Sequence, residues 1–241
     1  MTATPIWCWD GGLGGFTTHR LKGELRLGLR IADLTLVFSG DGAGSAQAFP
    51  LNGRSDAQAR EWLGERFDAV GFDASRLDAP APYEMPAHAI AAGAAYDAAG
   101  IADALAELAS WVANAEISLG FIRDEIIARE FAVSPLRCWP HHFDLAALIA
   151  LDLGPDGKAR SVNAGLSPGD EYYDEPYFYV SPYPYPGAAA LPPLPKLGHW
   201  HRRDFTAAVA TAGKILGAKD RRVETEAFLH DAVEASFKAL G

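Results

Sequence analysis

Alternation of apolar and polar positions organises the first part of this chain. From Leu21 onward the period is two: Leu21, Gly23, Leu25, Leu27, Leu29 and Ile31 share one parity, and Lys22, Glu24, Arg26 and Arg30 the other. That pattern predicts a half-buried strand. After Asp33 the phase changes, because Leu34, Leu36 and Phe38 now align, so a tight turn or bulge is expected near Ala32-Asp33. Gly40 to Gly44 reads as a hairpin loop into a strand over Ala46 to Leu51. Ser55 and Gln58 make a capping box for a helix ending near Val70, with Ala59, Leu63 and Phe67 inward and Gly71 as its C-terminal cap. Ala74 to Pro86, rich in Pro and Ala, reads as a connector wrapping the surface.

From Asp97 the period becomes helical. Ile101, Leu105, Leu108, Val112, Ala115, Leu119, Ile122 and Ile126 step by four and three, as in a two-helix seam or in a long helix lying across a sheet. The small Ala115 and the interruption at Gly120 favour the helix on a sheet. Strands return with Phe143 to Asp152, apolar on both parities as a central strand should be. Gly154 to Gly157 is a turn, Ala159 to Gly165 pairs back, and Tyr177 to Tyr183 adds an aromatic strand. The prolines from Pro182 to Pro195 predict a surface loop, Phe205 to Ala210 a short strand, and Leu229, Val233, Phe237 and Leu240 a closing helix. Together these elements predict an α+β fold. It has antiparallel sheets, an N-terminal hairpin and a C-terminal meander, covered by a long central helix and a C-terminal helix. Residues 1–241 are expected to form a single domain.

Composition narrows the function classes. Hydrophobic residues make up 49% and charged residues 22% of 241, which fits a folded globular chain. Lys and Arg number 21 against 31 Asp and Glu, a formal net charge of -10 that excludes a nucleic-acid-binding surface. The two cysteines, Cys8 and Cys138, form no CxxC, so no disulfide framework is expected and a reducing cytoplasm is the simplest setting. Met1 to Gly15 has no signal-peptide pattern, and no uncharged apolar run reaches the ~18 residues of a membrane span. Asp10 to Gly15 lacks phosphate-loop spacing and reads as a flexible turn.

The candidate chemistry clusters in Trp139-Pro140-His141-His142-Phe143-Asp144. If the central strand begins there, His142 and Asp144 project from one face, and His141 points the other way unless Pro140 holds it in the preceding turn. A hydrolase-type site would then use His142 as general base oriented by Asp144, with Glu171 as acid. The same pair could ligate a divalent metal with help from Asp170, Glu171, His199 or His201, or form a structural hydrogen bond. In Ser167-Pro168-Gly169-Asp170-Glu171, the alternative to a carboxylate pair is that Asp170 caps the turn while Glu171 faces water. Six of the eight tyrosines lie between Tyr172 and Tyr185, a density suited to a pocket wall or an interface. A pocket lined by Trp139, His141, Asp170, Tyr177 and Tyr179 predicts a small-molecule-binding protein or enzyme. The competing reading is an interaction or self-association module using the Tyr/Pro-rich surface of residues 172–195. A homo-oligomer fits either reading; no nucleic-acid or membrane partner is expected.

The stretch Ser134 to Ala146 is similar to the central motif of an uncharacterised family of bacterial proteins, a domain of unknown function. The resemblance extends to Ser167 to Glu171 and Glu175-Pro176-Tyr177-Phe178-Tyr179-Val180, and more weakly to Tyr96-Asp97 and the Gly23 to Leu29 strand. It implies one continuous fold over most of the chain and carries no activity with it. The chain departs from that pattern near Ile31-Ala32, where a Trp-rich loop is missing.

Overall fold

The computed structural model describes residues 7–21, 23–40, 45–79, 87–154 and 157–241. The chain divides into two compact units, Met1–Ser110 and Trp111–Gly241. The class is α+β, and every strand pairing within each unit is antiparallel.

In the first unit, β1 (Trp7–Asp10), β2 (Gly15–Thr18), β3 (Arg26–Arg30), β4 (Thr35–Ser39) and β5 (Gln47–Pro50) form a meander in chain order. The alternating run from Leu21 is only partly strand. Its first half is a turn closed by Leu21 N–H to the Leu25 carbonyl, with Gly23 at φ 59°, because β2 must double back before β3 can pair with it. The phase change near Ala32-Asp33 is a four-residue turn, with Leu34 in the left-handed region. Of the Gly40 to Gly44 loop, residues 41–44 lie outside the described residues, as do 80–86 of the connector and 155–156 of the Gly154 turn.

Helix α1 (Asp56–Ala69) has the expected capping box, with Ser55 Oγ accepting from Gln58 N–H and Gln58 Oε1 from Ser55 N–H. Leu63 and Phe67 pack with Leu25, Leu27 and Phe38, so α1 covers the sheet face that β3 and β4 make apolar.

Helix α2 (Ala102–Ala128) carries the chain past the Ser110–Trp111 division. Its stripe is buried at Leu105, Val112, Ala115, Leu119, Ile122 and Ile126, whereas Ile101 precedes the helix and is exposed. The second unit continues with β6 (Ala132–Val133), β7 (Arg137–Trp139), β8 (Asp144–Leu151), β9 (Arg160–Ser167), β10 (Tyr177–Tyr183), β11 (His199–His201) and β12 (Ala207–Thr211). Helices α3 (Ala212–Leu216) and α4 (Arg221–Leu240) close it. Its sheet runs β11-β12-β10-β9-β8-β7, with β6 also on β8.

Register divides this sheet into two chemically different faces. Leu145, Ala147 and Ile149 on β8, Val162, Ala164 and Leu166 on β9, and Phe178 and Val180 on β10 share one side, and all are buried. Leu119 and Ile122 of α2 line a small gap with Val133, Ala147, Ile149 and Ala164 of this side, so α2 lies over it. Helix α4 packs on β9, β10 and β12, with Phe228 fully buried. The opposite face carries Arg137, Trp139, Asp144, Gly165, Tyr177 and Tyr179.

Candidate functional site

The Trp139 to Asp144 stretch is a hairpin connection, not the start of a strand. Trp139 pairs with Asp144, and the four residues between them form a turn in which Phe143 N–H reaches the Trp139 carbonyl at 2.7 Å. Phe143 adopts φ 55° to close it. The parity that placed His142 and Asp144 on one strand face therefore does not apply. A four-residue loop accommodates the reversal that a continuous strand would forbid. His141 and His142 sit exposed in the turn, their rings 4.4 Å apart between centroids. No hydrogen bond joins His142 to Asp144 among the described residues.

Asp144 is held by another partner. It opens β8 at 7% exposure, and its Oδ2 accepts a hydrogen bond from the Tyr179 hydroxyl, which reaches it from β10 across the intervening β9. The crossing is possible because Gly165 lies between them in the register, Tyr179 to Gly165 to Ala146. A Cβ at Gly165 would stand 2.8 Å from both Cζ and the hydroxyl of Tyr179 and 2.8 Å from Ala146 Cβ. Burial raises the Asp144 pKa above the usual carboxylate range, only partly opposed by the Tyr179 hydrogen bond and the nearby His142 and His141. Burial together with the Asp144 charge holds the Tyr179 phenol well above its ordinary value.

Two polar atoms of this face are buried without a hydrogen-bond partner among the described residues: Asp144 Oδ1 and Arg137 Nε. Arg137 stacks its guanidinium over the half-buried Trp139 ring and pairs with Ala146. It is thus diagonal to Asp144 on the neighbouring strand, roughly 7–8 Å away at the backbone.

The acidic turn forms a separate cluster. Asp170 Oδ1 accepts from the backbone N–H groups of Tyr172 at 2.9 Å and Tyr173 at 3.1 Å, and Oδ2 accepts from the Tyr177 hydroxyl at 2.6 Å. Burial, followed by that bond, raises the Tyr177 pKa. Glu171 is exposed. The Tyr173 hydroxyl lies 2.9 Å from His199 Nε2 and 3.0 Å from His201 Nδ1, while His201 Nε2 is 2.7 Å from the Arg203 carbonyl. That carbonyl can only accept, so in the neutral ring His201 Nδ1 accepts from Tyr173 and His199 Nε2–H donates to it. Burial lowers the His199 pKa, in keeping with a neutral ring.

Of the residues anticipated from sequence, the structure brings Trp139, Asp144, Tyr177 and Tyr179 onto one face. It leaves His141, His142 and Glu171 exposed and makes Asp170 the anchor of its own turn. A divalent metal at His142 and Asp144 has no third ligand in place: no group of three His, Cys, Asp or Glu able to hold one occurs among the described residues. Gly165 and Arg137 were not anticipated. An isolated glycine in a strand pattern signals close approach by a neighbour, and that signal was present in Asn163-Ala164-Gly165-Leu166. No helix among the described residues is long and apolar enough to cross a membrane. No protein-family model, no curated protein and no solved structure matches the chain.

Proposed function

We propose that the protein binds a small polar molecule on the Arg137–Trp139–Asp144–Tyr179 face, as a binding protein or as an enzyme acting on that molecule. The observation carrying this reading is the buried, unpartnered Asp144 Oδ1, reinforced by the unpartnered Arg137 Nε on the same face. A buried polar atom without a partner costs about 1–3 kcal/mol, and chains keep such atoms where a ligand answers them. The fitting ligand offers a donor to Asp144, an acceptor to Arg137, and a flat surface to the Trp139 ring.

Self-association through residues 172–195 draws on Tyr183 and Tyr185, both about half exposed. Tyr172, Tyr173, Tyr177 and Tyr179 are instead bonded to carboxylates or histidines, which favours the pocket reading.

The test is a screen of small amides, ureas and hydroxy acids by ligand-observed NMR against wild type, Asp144→Asn and Arg137→Gln. Fragments that bind wild type should lose about tenfold in affinity in each variant, the equivalent of one lost hydrogen bond. Binding indifferent to both substitutions would remove Asp144 and Arg137 from the site.

A further inference from the structure

The first unit carries a second constellation, independent of the face just described. Register places Cys8 opposite Thr17 and Thr17 opposite Gly28, and Arg26 lies two residues from Gly28 on β3. These side chains therefore share the sheet face opposite to the one that Leu27 and Phe38 present to α1. His19, just past the end of β2, brings Nε2 to 3.8 Å from Cys8 Sγ, within reach of a sulfur hydrogen bond. Around this pair is a cavity of about 370 Å³ that is also lined by Asp10, Thr17, Arg20 and Arg26.

Charge gives the cavity a direction. Arg20 is paired with Glu24 at 2.5 Å, and Asp10 Oδ1 accepts from the backbone N–H groups of Gly12 and Leu13. Arg26 has no ion pair among the described residues, so its guanidinium is available to an incoming anion. Cys138 offers an internal contrast. It is 7% exposed, and burial followed by the Asp144 charge pushes its thiol up to about 12, which leaves it inert at neutral pH.

We infer that Cys8 is a nucleophilic thiol assisted by His19, and that its cavity takes an anionic electrophile, a carboxylate-bearing low-molecular-weight disulfide, with Arg26 holding the carboxylate. In the exchange, the Cys8 proton passes to His19 Nε2 and the sulfur attacks one sulfur of the disulfide. A new S–S bond forms as the old one breaks, and the departing thiolate takes the proton back from His19. The products are the Cys8 mixed disulfide and one equivalent of free small thiol, so no other oxidant is needed.

The whole chain makes this claim sharp. At a formal net charge of -10, a thiol merely exposed on this surface should prefer a cationic disulfide. The experiment treats the full-length reduced protein at neutral pH with glutathione disulfide, which is anionic, or with cystamine, which is cationic, and follows adducts by intact and peptide mass spectrometry. One adduct is expected, on Cys8 and not on Cys138, and formed about tenfold faster with glutathione disulfide. Arg26→Gln should abolish that preference, and His19→Gln should slow both reagents by at least about tenfold. Cys8→Ser should give no adduct, and far-ultraviolet circular dichroism should show all variants folded. Faster reaction with cystamine, modification of Cys138 at a similar rate, or an unchanged rate in folded His19→Gln would each overturn the assignment.

Discussion

Asp170 and Asp144 invite comparison, because each is a carboxylate receiving a tyrosine hydroxyl from β10. Around Asp170 the oxygens are answered twice over: two backbone N–H groups on Oδ1 and Tyr177 on Oδ2. Around Asp144, Oδ2 has Tyr179 and Oδ1 has no partner among the described residues, although it is the more deeply buried of the two side chains. A carboxylate with both oxygens hydrogen-bonded holds its own loop together. One left half-satisfied in the interior lowers stability, and such a position persists where another molecule completes it. The contrast supports the acidic turn as architecture and the β8 aspartate as part of the proposed site.

The largest effect that could break this contrast belongs to Asp170→Ala. It removes the acceptor of the buried Tyr177 hydroxyl, which keeps only Ser167, and strands two turn N–H groups, and should cost about 3 kcal/mol in urea unfolding. A loss under about 1 kcal/mol would show that the turn does not depend on its carboxylate, and the distinction would fail.

Gly165→Ala comes next, at about 1–3 kcal/mol from overpacking. Its added methyl would press on the Tyr179 ring and hydroxyl and should push the phenol off Asp144. Ultraviolet titration should then show Tyr179 ionising closer to the ordinary tyrosine range, while the Asp170–Tyr177 bond persists. An unaltered tyrosine titration would mean that the β9 gap is not what lets Tyr179 reach Asp144.

Tyr173→Phe should have a smaller effect, about 1 kcal/mol, since it removes one hydroxyl shared between two partly exposed histidines. Binding of fragments at the Asp144 face should be untouched by it. A coincident loss of binding would join the two clusters into one site.

These outcomes bear on what the sequence could reveal. The α+β class, the capped α1 helix, the α2 stripe and β10 follow from periodicity and caps, both local properties. The sequence singles out the Trp139 to Asp144 stretch, but the partner it assigns to Asp144 is not the one the structure shows. His142 and Asp144 are two apart in sequence, and the alternation rule put them together on a strand that in fact starts at Asp144. What defeated the rule was Phe143, a bulky residue in the left-handed region, where a turn is not expected from residue type. The actual partner, Tyr179, is 35 residues away and arrives by register across two strand pairings. No spacing in a single sequence encodes that. β7 and β11, three residues each, were missed because so short a run has no measurable period.

Asp144→Asn is the finest test, because its expected signature lies in pH dependence more than in size. Burial raises the folded-state pKa of Asp144 above that of the unfolded chain, which is about 4. Between those two values the native state keeps a proton that the unfolded state has released. Stability therefore falls as pH rises through that window and is level above it. Asparagine is nearly isosteric with the protonated acid, still accepts from Tyr179, and has no such dependence. At the acid end the two proteins should match. Toward neutral pH the variant should become the more stable, by about 1.4 kcal/mol for each unit by which the folded carboxyl has risen. Urea unfolding in steps from about pH 4 to about pH 8 would resolve this. Parallel stability curves would mean that Asp144 bears no burial penalty and is as well accommodated as Asp170. A gain in the variant toward neutral pH, together with lost fragment binding, would be the behaviour of a residue kept for its ligand and not for the fold.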